Sequence, residues 1–345
     1  MTQALLLPRP IKNWLIICAL MVLTMAVIGA ITRLTESGLS MTTWHATKDM
    51  LPPLNVGAWQ AEFAKYQQSP EYQKLNAGMS LAEFKNIYFW EWLHRLWGRL
   101  IGVAFALPLV WFWWRGHVPA TYKKPFLGLL LLGACQGFMG WYMVKSGLVD
   151  RPSVSHFRLA AHLSLAMIIF CALCWQIFKS DLIARIPALV AESGAKLWQA
   201  WLLTLAVLGA TMVWGAYVAG LDAGMVYNEF PKMGGRWFPS DGLFLQPAWQ
   251  NFFYNHATVQ WVHRVLACLS VLAVCSFSYA LARRPAIGRG LPLILVALIT
   301  IQFTLGVATL LSGVNITLAA MHQANAFLVL AAMMRVGVGV NLKHT

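Results

Sequence analysis

FWEWLHRLWGRLIGV, residues 89–103, is aromatic and apolar enough to begin a membrane helix, yet it carries Glu91, His94, Arg95 and Arg99. Such side chains are expensive in a bilayer, and where they occur they generally serve a site. A second stretch, TVQWVHRVLACLSVL at 258–272, repeats the pattern and shares W-x-H-R in register. Two copies of one polar cluster, each inside an apolar run, point to a duplicated membrane protein with one site per copy.

Composition agrees. Of 345 residues, 59% are hydrophobic and 11% charged, where a soluble domain has about 25% charged. Eight apolar runs, near 14–32, 90–114, 125–145, 156–178, 197–221, 256–281, 291–312 and 315–335, approach or exceed the ~20 residues a helix needs to span a bilayer. The first run lacks an A-x-A cleavage site and is expected to remain as a helix. The net charge of +14 would suggest nucleic acid in a soluble chain. Here it is read as loops facing anionic lipid, with no nucleic-acid partner. Segments 1–13, 115–124, 179–196, 282–290 and 335–345 hold 13 Lys/Arg in 61 residues, against 8 in 101 on the opposite side. Both termini are therefore expected in the cytoplasm. The outer segment 33–89 is too long for a turn; Ser80 and Glu83 have capping-box spacing, and a short surface helix is expected there.

The repeat extends further. GACQGFMGWYMVKSGL (133–148) aligns with TIQFTLGVATLLSGV (300–314), sharing Gln, a Gly four residues later, and Ser-Gly. LAAHLSLAM (159–167) aligns with LAAMHQANA (318–326) after a one-residue slip, and GAITRLTESG (29–38) with GAYVAGLDAG (215–224). The expected fold is an all-α integral membrane protein of eight transmembrane helices. They form two tandem four-helix bundles, 1–190 and 191–345, related by a pseudo-twofold axis along the membrane normal.

Four of the nine histidines occupy repeat-matched positions: His94 and His162, then His263 and His322. All four are expected on helices running inward, some 7–12 Å below the outer boundary at about 1.5 Å per residue. Polar glue between helices explains one such residue more readily than four. A histidine pair on neighbouring helices suits the two axial faces of a heme iron. Zinc would want further Cys, Asp or Glu, which the second half does not supply. Two heme pockets open toward the outer face are expected. Arg95, Arg158 and Arg264 are placed to pair heme propionates, or else to snorkel to headgroups. Gln136 and Gln302 read as packing residues, and His45, His117, His156, His256 and His344 as surface residues. The six cysteines all fall in spans; Cys171 and Cys174 form a C-x-x-C followed by Trp175, not His, so covalent heme attachment is unsupported.

The halves differ at one place: Glu91 stands three residues before His94, and Gln260 three before His263. Positions three apart share a helical face, so Glu91 is expected to point into the first pocket, where a carboxyl can hold or pass a proton. The alternative is a structural pair with Arg95 or Arg158. The asymmetry suggests chemistry in the first half and a redox cofactor in the second.

EWLHRLWGR at 91–99, RLAAHL at 158–163, QWVHR at 260–264 and GLSMTTW with LPP between 38 and 53 make nearly the whole chain resemble heme A synthase. It is most similar to the alpha-proteobacterial and mitochondrial branch. The Gram-positive branch carries cysteine pairs in outer loops; this chain has none, which removes any thiol role there. The resemblance implies oxidation of the C8 methyl of heme O to a formyl, giving heme A for cytochrome oxidase. It implies a heme b held by His263 and His322, and a substrate site formed by His94, His162 and Glu91. It further implies a bacterial inner membrane location and a heme O synthase as partner. The electron acceptor and the oligomeric state stay open. Two rivals stand beside it: a non-catalytic di-heme b-type cytochrome, and a heme transporter.

Overall fold

The computed structural model describes residues 6–43, 50–145, 153–183, 194–284 and 289–341. Its elements are α1 (Arg9–Leu34), α2 (Val56–Tyr66), α3 (Pro70–Lys74), α4 (Leu81–Trp114), α5 (Ala120–Lys145), α6 (His156–Ile183), α7 (Ala195–Gly220), α8 (Asn251–Tyr254), α9 (His256–Ala282), α10 (Gly290–Leu311) and α11 (Ile316–Asn341). Eight of them, α1, α4 to α7 and α9 to α11, are long and apolar enough to cross a membrane. These are the eight expected spans, and among the described residues no strand is formed.

The longest helix departs from expectation. α4 has 34 residues, about 50 Å at ~1.5 Å per residue, well beyond the ~30 Å of hydrocarbon. Ser80 and Glu83 do form a capping box: Ser80 Oγ accepts from Glu83 N (3.3 Å), and the Glu83 carboxylate accepts from Ser80 N (2.8 Å). They cap the spanning helix itself and not a separate surface helix, because no Gly or Pro interrupts residues 81–97. The surface helices are α2 and α3, capped by Asn55 and Ser69. They pack on the projecting turns of α4 through a small core of Met41, Tyr66, Phe84 and Tyr88, flanked by Trp59 and Phe63. Met41 and residues 56–88 thus have a hydrophobic anchor of their own.

Glu71 is buried in that anchor. Tyr66 Oη donates to its carboxylate at 3.0 Å and accepts from Asn76 Nδ2 at 2.7 Å. Burial pushes the Glu71 carboxyl up to about 8, and the charges of Glu91 and Glu36 add to this. A carboxyl whose folded value lies above its unfolded one binds the proton more tightly when folded. Its contribution to stability is complete below the ordinary value of 4.5 and is lost as pH rises through about 8. Thermal unfolding of detergent-solubilised protein between pH 5 and pH 9 should show stability falling across this window. Glu71→Gln should flatten that slope; an unchanged slope in the variant would locate the titration elsewhere.

α1, α4, α5 and α6 touch in a closed ring, and so do α7, α9, α10 and α11. Between the rings, α6 meets α11, α6 meets α7, and α1 meets α11. Exchanging repeat-matched helices turns the α6–α7 contact into α11–α1 and leaves α6–α11 unchanged, which is consistent with a twofold relation. The turns ending α1 and α7 agree as well. Glu36 and Asp222, matched in the repeat, both adopt left-handed backbone, at φ 52° and 51°, a conformation unusual for residues other than Gly. One continuous apolar core draws on both rings, including Leu15, Phe126, Phe170, Leu281, Phe327 and Met333.

Candidate functional site

Each ring places its two histidines on diagonal helices: His94 on α4 and His162 on α6, His263 on α9 and His322 on α11. The pairs were expected on neighbouring helices; the diagonal arrangement points them across the ring instead. Within each ring the two partners lie in electrostatic reach of each other. The other two helices of each ring supply a glycine for each imidazole. A methyl built at Gly29 would lie 3.3 Å from His94 Nε2, and one at Gly140 would lie 3.2 Å from His162 Cε1. In the second ring, methyls at Gly215 and Gly306 would lie 3.0 Å and 2.9 Å from Cε1 of His263 and His322. Such distances leave little or no room for a side chain, so the shared glycines of the repeat are seats for the four rings. The sequence carried that signal, as Gly29 aligns with Gly215 and Gly140 with Gly306.

The rings are held differently in the two halves. His263 Nδ1 donates to the Thr211 carbonyl and His322 Nδ1 to the Gln302 carbonyl, each at 3.0 Å. A carbonyl only accepts, so Nδ1 carries the proton and Nε2 keeps its lone pair for a metal. In the first ring, the buried Nδ1 of His162 has no partner, and among the described residues His94 makes no hydrogen bond. Gln136 and Gln302, expected to be packing residues, lie directly on these rings. Gln136 Nε2 donates to the His162 carbonyl (3.1 Å) and sits 3.3 Å from His162 Nε2. Gln302 Nε2 lies 3.2 and 3.3 Å from the nitrogens of His322.

One turn toward the helix start, each ring has a clamp. Glu91 is 2% exposed. Its carboxylate accepts from Arg95 at 2.5 Å and from Ser40 Oγ and Met41 N at 2.7 Å each. Arg95 also donates to the carbonyls of Met41 (2.9 Å) and Thr43 (2.8 Å). In the second half, Arg264 donates to Gln260 Oε1 (3.0 Å) and to the carbonyls of Tyr227 (2.9 Å), Glu229 (2.8 Å) and Lys232 (3.2 Å). Gln260 Nε2 donates to the Tyr227 carbonyl at 3.1 Å. The same device thus fastens the preceding loop in both halves. Where the loop presents N–H and O–H donors the helix carries Glu, and where it presents a carbonyl the helix carries Gln. Arg158 donates to the Tyr142 carbonyl (2.7 Å) with its guanidinium 3.7 Å over the Tyr142 ring, tying the start of α6 to α5.

His156 is not a surface residue as expected: it is buried at the start of α6, with its Cβ and Cα pressed on Gly220 and its ring near Tyr217 and Tyr254. His117 and His256 are exposed, and His45 and His344 lie outside the described residues. All six cysteines are free. Among the described residues no third His, Cys, Asp or Glu joins either histidine pair into a metal-binding cluster. Two imidazoles alone fall short of the four ligands of a structural zinc site. Two diagonal imidazoles, a glycine seat behind each, and the unpartnered buried Nε of Arg264 in the second half fit a heme.

The family model of the cytochrome oxidase assembly protein COX15-CtaA matches residues 12–334. A protein of Rhodospirillum centenum named heme A synthase is 52% identical over 322 residues, 92% of this chain and 85% of the relative. Heme A synthase COX15 of Mus musculus is 42% identical over 335 residues, 94% of this chain and 80% of the relative. The Arabidopsis thaliana protein of that name is 44% identical, over 93% of this chain and 72% of the relative. With the eight spans and the duplicated histidine pairs in place along the matched region, the chain belongs to the COX15-CtaA family of cytochrome oxidase assembly proteins.

Proposed function

We propose that this protein is a heme A synthase, oxidising the C8 methyl of heme O to a formyl group with a resident heme b. The observation that carries the reading is the duplicated diagonal histidine pair, differently anchored in the two halves, in a chain whose relatives bear that name. His263 and His322, each fixed through Nδ1, would hold heme b; when bound, that group supplies one-electron redox chemistry. His94 and His162, whose rings lack such anchors, suit a substrate heme that must arrive and leave. Arg264 stands beside the cofactor pocket, and Arg95 and Arg158 beside the substrate pocket, as partners for propionates.

Glu91 is the proposed catalytic carboxylate of the first half, placed one turn from His94 to take a proton released from the methyl. Its saturation by Ser40, Met41 and Arg95 favours a second reading, in which it acts by fixing the 40–43 backbone beside the substrate. A proton acceptor would leave heme O binding intact in Glu91→Gln while the reaction slows; a positioning residue would weaken heme O binding as well.

The first half (1–190) is assigned to the substrate and the second (191–345) to the cofactor. The charge bias of the loops supports cytoplasmic termini and heme sites toward the outer face of a bacterial inner membrane. A reporter inserted at Gln68 should be active only outside, and one between Arg284 and Arg289 only in the cytoplasm; the reverse pattern would move both sites inward. A heme O synthase is the expected partner, since the substrate is insoluble in water. The activity itself is tested by the hemes recovered from membranes that are supplied with heme O.

A further inference from the structure

The two rings differ in how firmly their second histidine is held, and the difference traces to one side chain. His322 lies between Gly306 and the amide of Gln302 on α10. The Gln302 amide does not float. Its Oε1 accepts from Asn325 Nδ2 at 2.9 Å, and Asn325 Nδ2 also donates to the Leu298 carbonyl at 3.0 Å. Asn325 is 7% exposed and stands three residues after His322, on the same face of α11. In the first ring the residue three after His162 is Leu165. Leucine has no donor to offer, and there Gln136 Oε1 is buried without a partner, as is His162 Nδ1.

We infer that Asn325 is a positioning residue for the resident heme. It fastens Gln302 to α11; the Gln302 carbonyl accepts from His322 Nδ1, and the Gln302 amide Nε2 rests 3.3 Å from His322 Nε2 until a metal takes that lone pair. The effect is to present Nε2 in one orientation before any iron binds. An imidazole fixed this way loses less freedom on ligation and releases the metal more slowly. In the first half Leu165 offers no such bond, so Gln136 Oε1 and His162 Nδ1 stay unanchored, as suits a heme that exchanges. This inference rests on the assignment of heme b to His263 and His322, and it adds a residue outside the ligand set that keeps the two halves distinct.

The test uses the full-length protein purified with its heme. Asn325→Leu installs what the first half already accommodates at the matched position, and Asn325→Ala is the smaller alternative should leucine pack poorly. Two quantities are followed: the low-spin electron paramagnetic resonance signal, and the rate at which heme b passes to excess apomyoglobin. Both variants are expected to release heme about tenfold faster than wild type, in line with other changes around a ligand, with a broadened low-spin signal. Leu165→Asn should leave both quantities for heme b unchanged. Wild-type release rates and an unaltered signal in the two Asn325 variants would overturn the inference. A low-spin heme signal that survives His322→Ala would overturn the cofactor assignment as well, so the two failures are distinguishable.

Discussion

His263→Ala and His322→Ala are each expected to abolish the low-spin bis-imidazole component of the purified protein's visible spectrum. In each case heme b content should fall severalfold. Both rings are seated against a glycine and donate Nδ1 to a backbone carbonyl. Each variant would therefore remove a proposed axial ligand that is already oriented for binding. Among the described residues, no other histidine, cysteine or carboxylate clusters with the pair to replace the missing one. His94→Ala and His162→Ala should spare this low-spin component, because those side chains belong to the other ring. Retention of a full low-spin spectrum by both second-half variants would show that the resident heme is bound elsewhere.

Glu91→Gln is expected to fold, to keep heme b and to lower heme A formation by about 10²–10⁴-fold, the range of a lost acid–base or charge-stabilising group. The carboxylate takes three donors with two oxygens: the Arg95 guanidinium, Ser40 Oγ and Met41 N. An amide has one oxygen, so its NH₂ would face either the guanidinium or the loop, and one charge-assisted bond is lost. Removing one partner from a buried ion pair costs about 3–5 kcal/mol. That cost falls on the packing of residues 40–43 beside the first pocket, while the second ring is untouched. At the matched position Gln260 meets a loop that turns a carbonyl toward its NH₂, which the 40–43 segment does not offer to Glu91. Chromatography of extracted hemes measures the outcome, with heme b as the folding control. Wild-type heme A from this variant would show that Glu91 serves only to hold the loop.

Hydrophobic runs and repeated motifs make the eight spans and both histidine pairs legible in the sequence, because bilayer thickness and internal duplication leave signatures there. The glycine seats were present in the alignment too, at Gly29, Gly140, Gly215 and Gly306. Their role depends on which helix faces which, and that is a property of the assembled ring. The reach of Glu91 was half legible. Helical spacing puts it on the His94 side, but its partners Ser40 and Met41 lie some fifty residues away along the chain. No local rule brings a loop residue back to a helix. The same holds for Thr211, whose carbonyl orients His263, since backbone acceptors have no sequence signature. His156 was misjudged because its position at a helix start looks exposed in one dimension, whereas Gly220 of α7 opens a recess for it. α4 was placed too short because its first turns are paid for by a loop core, which hydropathy alone does not register.

The most direct test is to express the chain in a host that makes heme O and lacks heme A, extract the membrane pigments, and separate them by chromatography. The expected result is a formyl-bearing heme A, absent from cells carrying an empty vector and strongly reduced with His94→Ala. Recovery of only heme O and heme B, from a protein that is folded and carries its low-spin heme, would contradict the assignment and favour a di-heme cytochrome or a heme carrier.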